Sequence, residues 1–230
     1  MHGHRTIART RVIPRIPLRL LLVIWLAAVA GGCDGVDSAD DVESLGIFSD
    51  SGETLPPDIE TFFGTFSGGG ATVEEYTEDL DQKREGERSL RTTVTVSNGG
   101  YAGWFISEGD GTRVDDQSFT RDMTEYSGGA LILWAKSPID LLVGIRSGNV
   151  TAGRETSTAL LSEIAPFHAD DTWYRVCVPM DRLEGPAPHA DLSRVKVLFF
   201  VASNDETGGT GGRARTFWID DVRWQQTACQ

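Results

Sequence analysis

The stretch Thr216-Phe-Trp-Ile-Asp-Asp-Val-Arg-Trp224, near the end of the chain, is rich in aromatic and β-branched residues. Such residues are enriched in β-strands, and successive side chains of a strand point to opposite faces. The alternation predicts two opposed sets of side chains: Trp218, Asp220, Val222 and Trp224 on one face, and Phe217, Ile219, Asp221 and Arg223 on the other. Asp220 is then an acid among apolar neighbours.

Six further segments have the same strand character, and each ends at a turn signal of Gly, Pro, Ser, Asn or Asp. They are residues 89–96, 101–107, 130–136, 141–146, 173–178 and 195–202. Helical signals are confined to single turns near 122–126, 157–164 and 191–194. Short strands separated by turns predict an all-β sandwich.

The charge of the chain is divided between a basic leader and an acidic body. Residues 1–32 hold five of the 21 basic residues and none of the 34 acidic ones, so residues 33–230 carry a net charge of −18. An acidic body repels phosphates, which argues against nucleic acid as a partner. The apolar run Leu20–Ala30 is too short to span a bilayer and is typical of a signal peptide.

Val29-Ala30-Gly31-Gly32-Cys33 resembles the lipobox of bacterial lipoproteins, in which the signal is cleaved before a cysteine that becomes acylated. The resemblance implies a signal peptide over residues 1–32, lipidation at Cys33, and a lipid anchor in the bacterial cell envelope, on the periplasmic or the outer-surface side. Residues 33–46 are acidic, small and polar, and are interpreted as a solvated tether. The alternative is an ordinary secretory signal that leaves Cys33 as a free thiol.

The body contains two other cysteines, Cys177 and Cys229. Two cysteines in an exported protein could form a disulfide. Alternatively, Cys177 is a small buried apolar residue in its strand and Cys229 is a free thiol at the chain end.

Five short motifs follow one another along the predicted sandwich. They are Glu85-Gly86 with Ser89-Leu90, Tyr126–Ser137, Trp173–Met180, Asp191-Leu192-Ser193 and Phe217–Trp224. Their order and spacing resemble carbohydrate-binding modules of the galactose-binding-like jelly-roll type. The resemblance implies a jelly-roll β-sandwich over residues 47–226, followed by a tail at 227–230. The same fold also serves in protein assembly, so an envelope assembly lipoprotein remains the alternative function.

The resemblance also implies a structural calcium held by Asp220, with Asp50 as the acid near the domain start and Glu75 as a second choice. Calcium prefers six to eight oxygen ligands, which carboxylates and loop carbonyls can supply. The alternative is that Asp220 accepts turn N–H groups or pairs with an arginine, since a buried carboxylate must be compensated.

A ligand face is predicted from the connection Ser137–Asp140, interpreted as a hairpin. In that register Trp134, Lys136, Gly144 and Arg146 share one sheet face, and Trp104 with Tyr101 could add a second platform. Aromatic rings stack on sugars while Arg and Lys donate hydrogen bonds, so Trp104, Trp134, Lys136 and Arg146 are the predicted ligand-binding residues, and a neutral glycan the expected ligand. The alternative for each tryptophan is the core.

Enzymatic activity is not expected. The sequence has no zinc-protease, nucleophile-elbow or Walker A motif, and no paired-carboxylate strand motif of jelly-roll glucanases. A small glycosidase remains a remote third hypothesis. The sequence therefore predicts a non-catalytic binding module and does not specify the glycan or the oligomeric state.

Overall fold

The computed structural model describes residues 44–48, 61–96, 99–109, 120–148, 156–184, 189–204 and 212–230. Within these residues there are eleven strands: β1 (Ser44–Phe48), β2 (Thr61–Gly68), β3 (Thr72–Asp79), β4 (Ser89–Val96), β5 (Tyr101–Glu108), β6 (Ala130–Lys136), β7 (Leu141–Ser147), β8 (Thr156–Leu160), β9 (Trp173–Pro179), β10 (Val195–Ser203) and β11 (Arg213–Gln225). Single 3₁₀ turns lie at Thr124–Tyr126, Leu161–Glu163, Met180–Arg182 and Leu192–Arg194.

The strands form two antiparallel sheets packed face to face. The first sheet has the order β3-β4-β11-β6-β9, with β1 also paired to β11, and the second has the order β2-β5-β10-β7-β8. Both inner faces are apolar, because alternate residues such as Leu131 and Leu133 in β6 and Val143 and Ile145 in β7 are fully buried. The predicted all-β jelly-roll β-sandwich is confirmed.

The predicted hairpin between β6 and β7 is wrong. β6 lies between β11 and β9 in the first sheet, whereas β7 lies between β10 and β8 in the second. The connection between β6 and β7 crosses from one sheet to the other. Its Ile139 is buried, and Asp140 Oδ1 accepts the amides of Leu141 at 2.8 Å and Ser162 at 3.0 Å. Trp134 and Lys136 therefore do not share a face with Gly144 and Arg146.

Strict alternation along β11 is also wrong, because a β-bulge interrupts it. Asp220 pairs with Trp134 of β6 and Arg223 with Ile132, so three steps on β11 match two on β6. Asp221 has a φ of 47°, in the left-handed region. The bulge reverses which residues point inward, so that Trp224 is buried in the core while Trp218, six residues earlier, stays partly exposed.

The structure extends the start of the predicted domain and, at its end, forms the disulfide that the sequence left open. β1 begins at Ser44 and pairs with the end of β11, so the last three residues of the predicted tether belong to the sandwich. At the other end the sulfurs of Cys177 and Cys229 form a disulfide, which ties the predicted tail to β9. Within the described residues, no helix has the length and hydrophobicity to cross a membrane.

Candidate functional site

The outer face of the second sheet carries a cluster of aromatic side chains. The rings of Phe62 and Phe66 come from β2, Tyr101 and Phe105 from β5, and Phe200 from β10. They alternate with inward residues such as Trp104 and Phe199, which fill the core. We call these five residues and the surface they form the aromatic face.

Strand register brings these rings together. Gly64, Phe105, Phe200, Gly144 and Thr158 are successive pairing partners across all five strands. Ring centroids are 6.0 Å apart for Phe62–Phe105, 6.3 Å for Phe66–Phe105, 6.1 Å for Phe66–Tyr101 and 6.0 Å for Phe66–Phe200. The aromatic face is thus one continuous apolar surface.

Two glycines lie beneath rings of the aromatic face and leave space for those rings. A Cβ at Gly64 would lie 2.6 Å from the Phe105 ring, and a Cβ at Gly68 would lie 2.6 Å from the Tyr101 ring. Both rings therefore occupy the space that a side chain on the neighbouring strand would fill, a packing in which an aromatic ring covers a cross-strand glycine.

A groove runs over the aromatic face and has a polar margin on β7 and β8. Its main part has a volume of about 630 Å³, and an adjoining part of about 370 Å³ shares Phe66, Tyr101, Thr156 and Phe200 with it. Arg146 lines the main part and pairs in register with Thr156. Apolar rings beside a few hydrogen-bonding groups are the usual composition of a small-molecule site.

Of Trp104, Trp134, Lys136 and Arg146, only Arg146 lines this face, together with Tyr101 from the predicted second platform. The pattern that would have located the rest is in Thr61-Phe-Phe-Gly-Thr-Phe-Ser-Gly68, where Phe62, Gly64, Phe66 and Gly68 recur with the period of a strand. Glycine lowers the strand propensity of this stretch, which is why sequence analysis passed over β2.

The prediction that Trp104 binds the ligand is wrong, because Trp104 is fully buried and cannot contact a ligand. Its ring packs 5.2 Å from Phe63 and 5.3 Å from Phe199, and its Nε1 donates to Thr92 Oγ1 at 3.1 Å. A buried indole needs such an acceptor. Tyr101, predicted beside it, is 50% exposed and lies on the aromatic face.

Trp134 and Lys136 lie on the outer face of the first sheet, on the opposite side of the sandwich from Arg146. The loop at residues 80–88 covers Trp134: the guanidinium of Arg84 is 4.6 Å from its ring centroid, and its Nε1 donates to Glu85 Oε1 at 3.0 Å. Lys136 Nζ lies 4.7 Å from the Trp218 ring centroid. Lys136 Nζ also donates to Gln82 Oε1 in the loop at 2.9 Å, so Trp134 and Lys136 both attach the loop to the sheet.

Asp79, at the end of β3, also attaches the loop at residues 80–88 to the sheet. Burial raises the pKa of the Asp79 carboxyl, but hydrogen bonds from Trp218 Nε1 at 2.9 Å and from the amides of Gln82 and Asp81 outweigh it, so the pKa lies below its usual value. The carboxylate is therefore kept charged as an acceptor for the first turn of the loop.

Asp220 is buried and binds the middle of the loop at residues 80–88. Its Oδ2 accepts the backbone amides of Arg84 at 2.7 Å and Glu85 at 3.0 Å, which is the turn-amide alternative left open by the sequence. In the part of the chain that the structure describes, no group of three His, Cys, Asp or Glu side chains comes together, and Asp50 lies outside the described residues. Calcium at Asp220 stays a prediction.

A family model and several solved structures match this chain. The profile of the family Carbohydrate binding domain 30 matches residues 58–226. A crystal structure of a family 30 carbohydrate-binding module is similar at a TM-score of 0.54 and 20% identity, covering 83% of this chain and 91% of that chain. The family 30 module of the cellulosomal cellulase Cel9D-Cel44B of Clostridium thermocellum has a TM-score of 0.51 and 20% identity, covering 79% and 96%. A search of curated proteins found no match.

Proposed function

The chain belongs to the family Carbohydrate binding domain 30, and from this membership we propose that it is a non-catalytic module that holds a neutral glycan on its aromatic face. The observation that carries the proposal is the cluster of half-buried and exposed rings on β2 and β5, in which Phe66 lies within 6.3 Å of the ring centroids of Tyr101, Phe105 and the buried Phe200 of β10.

The chemistry of the aromatic face fits a sugar chain. A pyranose ring has apolar C–H faces and polar hydroxyl edges, so it can stack on Phe66 and Phe105 while its hydroxyls reach Arg146 and Thr156 on the polar margin. A net charge of −18 over residues 33–230 favours a neutral polymer over an acidic one, because like charges repel.

Alanine at Phe66 tests the proposal. The wild-type domain is titrated by calorimetry against a panel of neutral oligosaccharides, and Phe66→Ala is expected to weaken the best ligand by about 30-fold, which corresponds to about 2 kcal/mol. Trp134→Ala, on the other sheet, is the comparison and should bind normally. The proposal fails if the wild-type domain binds no member of the panel, or if Trp134→Ala loses binding while Phe66→Ala retains it.

We further propose that the module is exported and anchored by lipid at Cys33 to the bacterial cell envelope, which would display the aromatic face on a membrane surface. The Cys177–Cys229 disulfide supports export, because disulfides persist mainly in oxidising compartments. Cys33→Ala is expected to release the protein from the membrane fraction and to abolish labelling by a radioactive fatty acid. A labelled or membrane-bound Cys33→Ala protein would contradict the anchor.

A further inference from the structure

We propose that the glycan lies parallel to β2 and β5, with one sugar unit on each ring of a four-ring path. The path runs Phe62, Phe105, Phe66, Tyr101, and we call it the ring path. This inference rests on the proposed function. It adds the orientation of the glycan on the sheet, the number of sugar units bound and the chemistry at each end of the ring path.

The ring path zigzags between two paired strands. Successive ring centroids are 6.0, 6.3 and 6.1 Å apart, so no gap interrupts the apolar surface. Phe62 pairs in register with Ser107, six residues from Tyr101 along β5. At about 3.4 Å per residue the backbone positions of the two end residues are about 20 Å apart along the strands, and the ring centroids span less than this.

Fewer aromatic rings follow one another in the direction across the strands than along the ring path. The cross-strand row that contains Phe105 continues to Phe200, then Gly144, then Thr158. A Cβ at Gly144 would lie 2.6 Å from the Phe200 ring, so that ring already covers the glycine, and Thr158 follows as a short polar side chain. This row therefore contains two aromatic rings next to each other, and none beyond β10.

The two parts of the groove follow one another along the strands, because the main part includes the paired residues Val197 and Arg146 and the adjoining part the paired residues Ala202 and Leu142. Rings of β2 and β5 form one wall along its length, and the side chains of Arg146, Thr156 and Thr158 stand on β7 and β8 opposite them. Phe200 and Ala202 lie between the two walls, on β10. A chain lying lengthwise in such a groove can keep its C–H faces on the rings and its hydroxyl edge towards the polar margin over several units.

The two ends of the path differ in chemistry. The Phe62 end lies on the register level of Arg146, with Ser107 and Val197 between them. The Tyr101 end is open, since Tyr101 is 50% exposed. The groove beside Tyr101 is lined by Ser203 and Asn204, so we expect a charged hydrogen-bond donor, Arg146, near Phe62 and only neutral polar groups near Tyr101.

Ligand length combined with end variants tests the direction. Oligosaccharides of the best-binding glycan, from the disaccharide to the hexasaccharide, are titrated against the wild-type domain, and affinity should rise up to the tetrasaccharide and then level off. Phe62→Ala and Tyr101→Ala should each weaken the tetrasaccharide about tenfold and the disaccharide by less than threefold, because the shorter ligand can use the remaining rings. Phe66→Ala should weaken every length.

Tyr76→Ala is the matched control, because Tyr76 is also 50% exposed but lies on β3 in the first sheet. It should leave the whole series unchanged. If Phe200→Ala and Thr158→Ala weaken the tetrasaccharide as much as Phe105→Ala does, and the two end variants do not, the chain crosses the strands and the inference is wrong. If the wild-type domain binds no oligosaccharide of any length, the proposed function itself fails, and that result is distinct from a wrong direction.

Discussion

Trp104→Ala is expected to lower the free energy of unfolding by about 4 kcal/mol, the middle of the range for removing a large buried aromatic side chain. Trp104 is fully buried, and its ring packs between Phe63 at 5.2 Å and Phe199 at 5.3 Å. The truncation also leaves Thr92 Oγ1 without its donor in the core. In thermal denaturation the midpoint should fall by roughly 12 °C for a domain of this size.

The adjacent residue provides the control, because Phe105 points to the opposite face of the same strand. Phe105→Ala should cost less stability than Trp104→Ala and should weaken glycan binding, whereas Trp104→Phe, which keeps an aromatic ring but loses the Nε1–Thr92 hydrogen bond, should cost about 1 to 2 kcal/mol. Trp104 would have to be reassigned to the ligand if Trp104→Ala melted like the wild type and failed to bind sugar.

The fold was predictable because its signals are local. β4 and β6 have the predicted bounds, and β5, β7, β9 and β10 differ from them by one residue at one end. In these strands alternation and turn residues agree, as expected when local and global preferences coincide. Sequence analysis missed β1, β2, β3 and β8, where glycine, threonine and acidic residues weaken the apolar pattern.

The candidate site was much less predictable, because it depends on which strands are neighbours. Phe62 and Phe66 contact Phe105 only because β2 pairs with β5, a partnership between segments about 40 residues apart in the sequence. The predicted pairing of β6 with β7 placed Arg146 on the same face as Trp134. The predicted strict alternation along β11 placed Trp224 on the same face as Trp218, because it did not include the β-bulge. Pairing and bulges are set by tertiary packing, whereas alternation reports only the two faces of one strand.

Asp220→Ala is expected to lower the free energy of unfolding by about 3 kcal/mol. Asp220 is 1% exposed, and its carboxylate accepts two backbone amides from the loop at residues 80–88. Hydrogen bonds to a charged group contribute about 1.5 to 3 kcal/mol each, and alanine would leave both donors without their partner. Glu85 is held elsewhere too, by Trp134 and by Arg223 at 3.3 Å, so the loop should loosen without the sandwich unfolding at room temperature.

Asp220→Asn separates the carboxylate's two candidate roles. The asparagine oxygen can still accept the amides of Arg84 and Glu85, so if Asp220 acts as an amide acceptor the loss should be about 1 kcal/mol, measured by urea denaturation. If Asp220 instead holds calcium, losing the charge should be nearly as damaging as alanine, and a chelator should destabilise the wild type by the same amount. The bonds to the two amides favour the first outcome, with a wild-type midpoint unchanged by chelator and Asp220→Asn closer to the wild type than to Asp220→Ala. Equal losses in Asp220→Asn, Asp220→Ala and the chelated wild type would restore the calcium site predicted from the sequence.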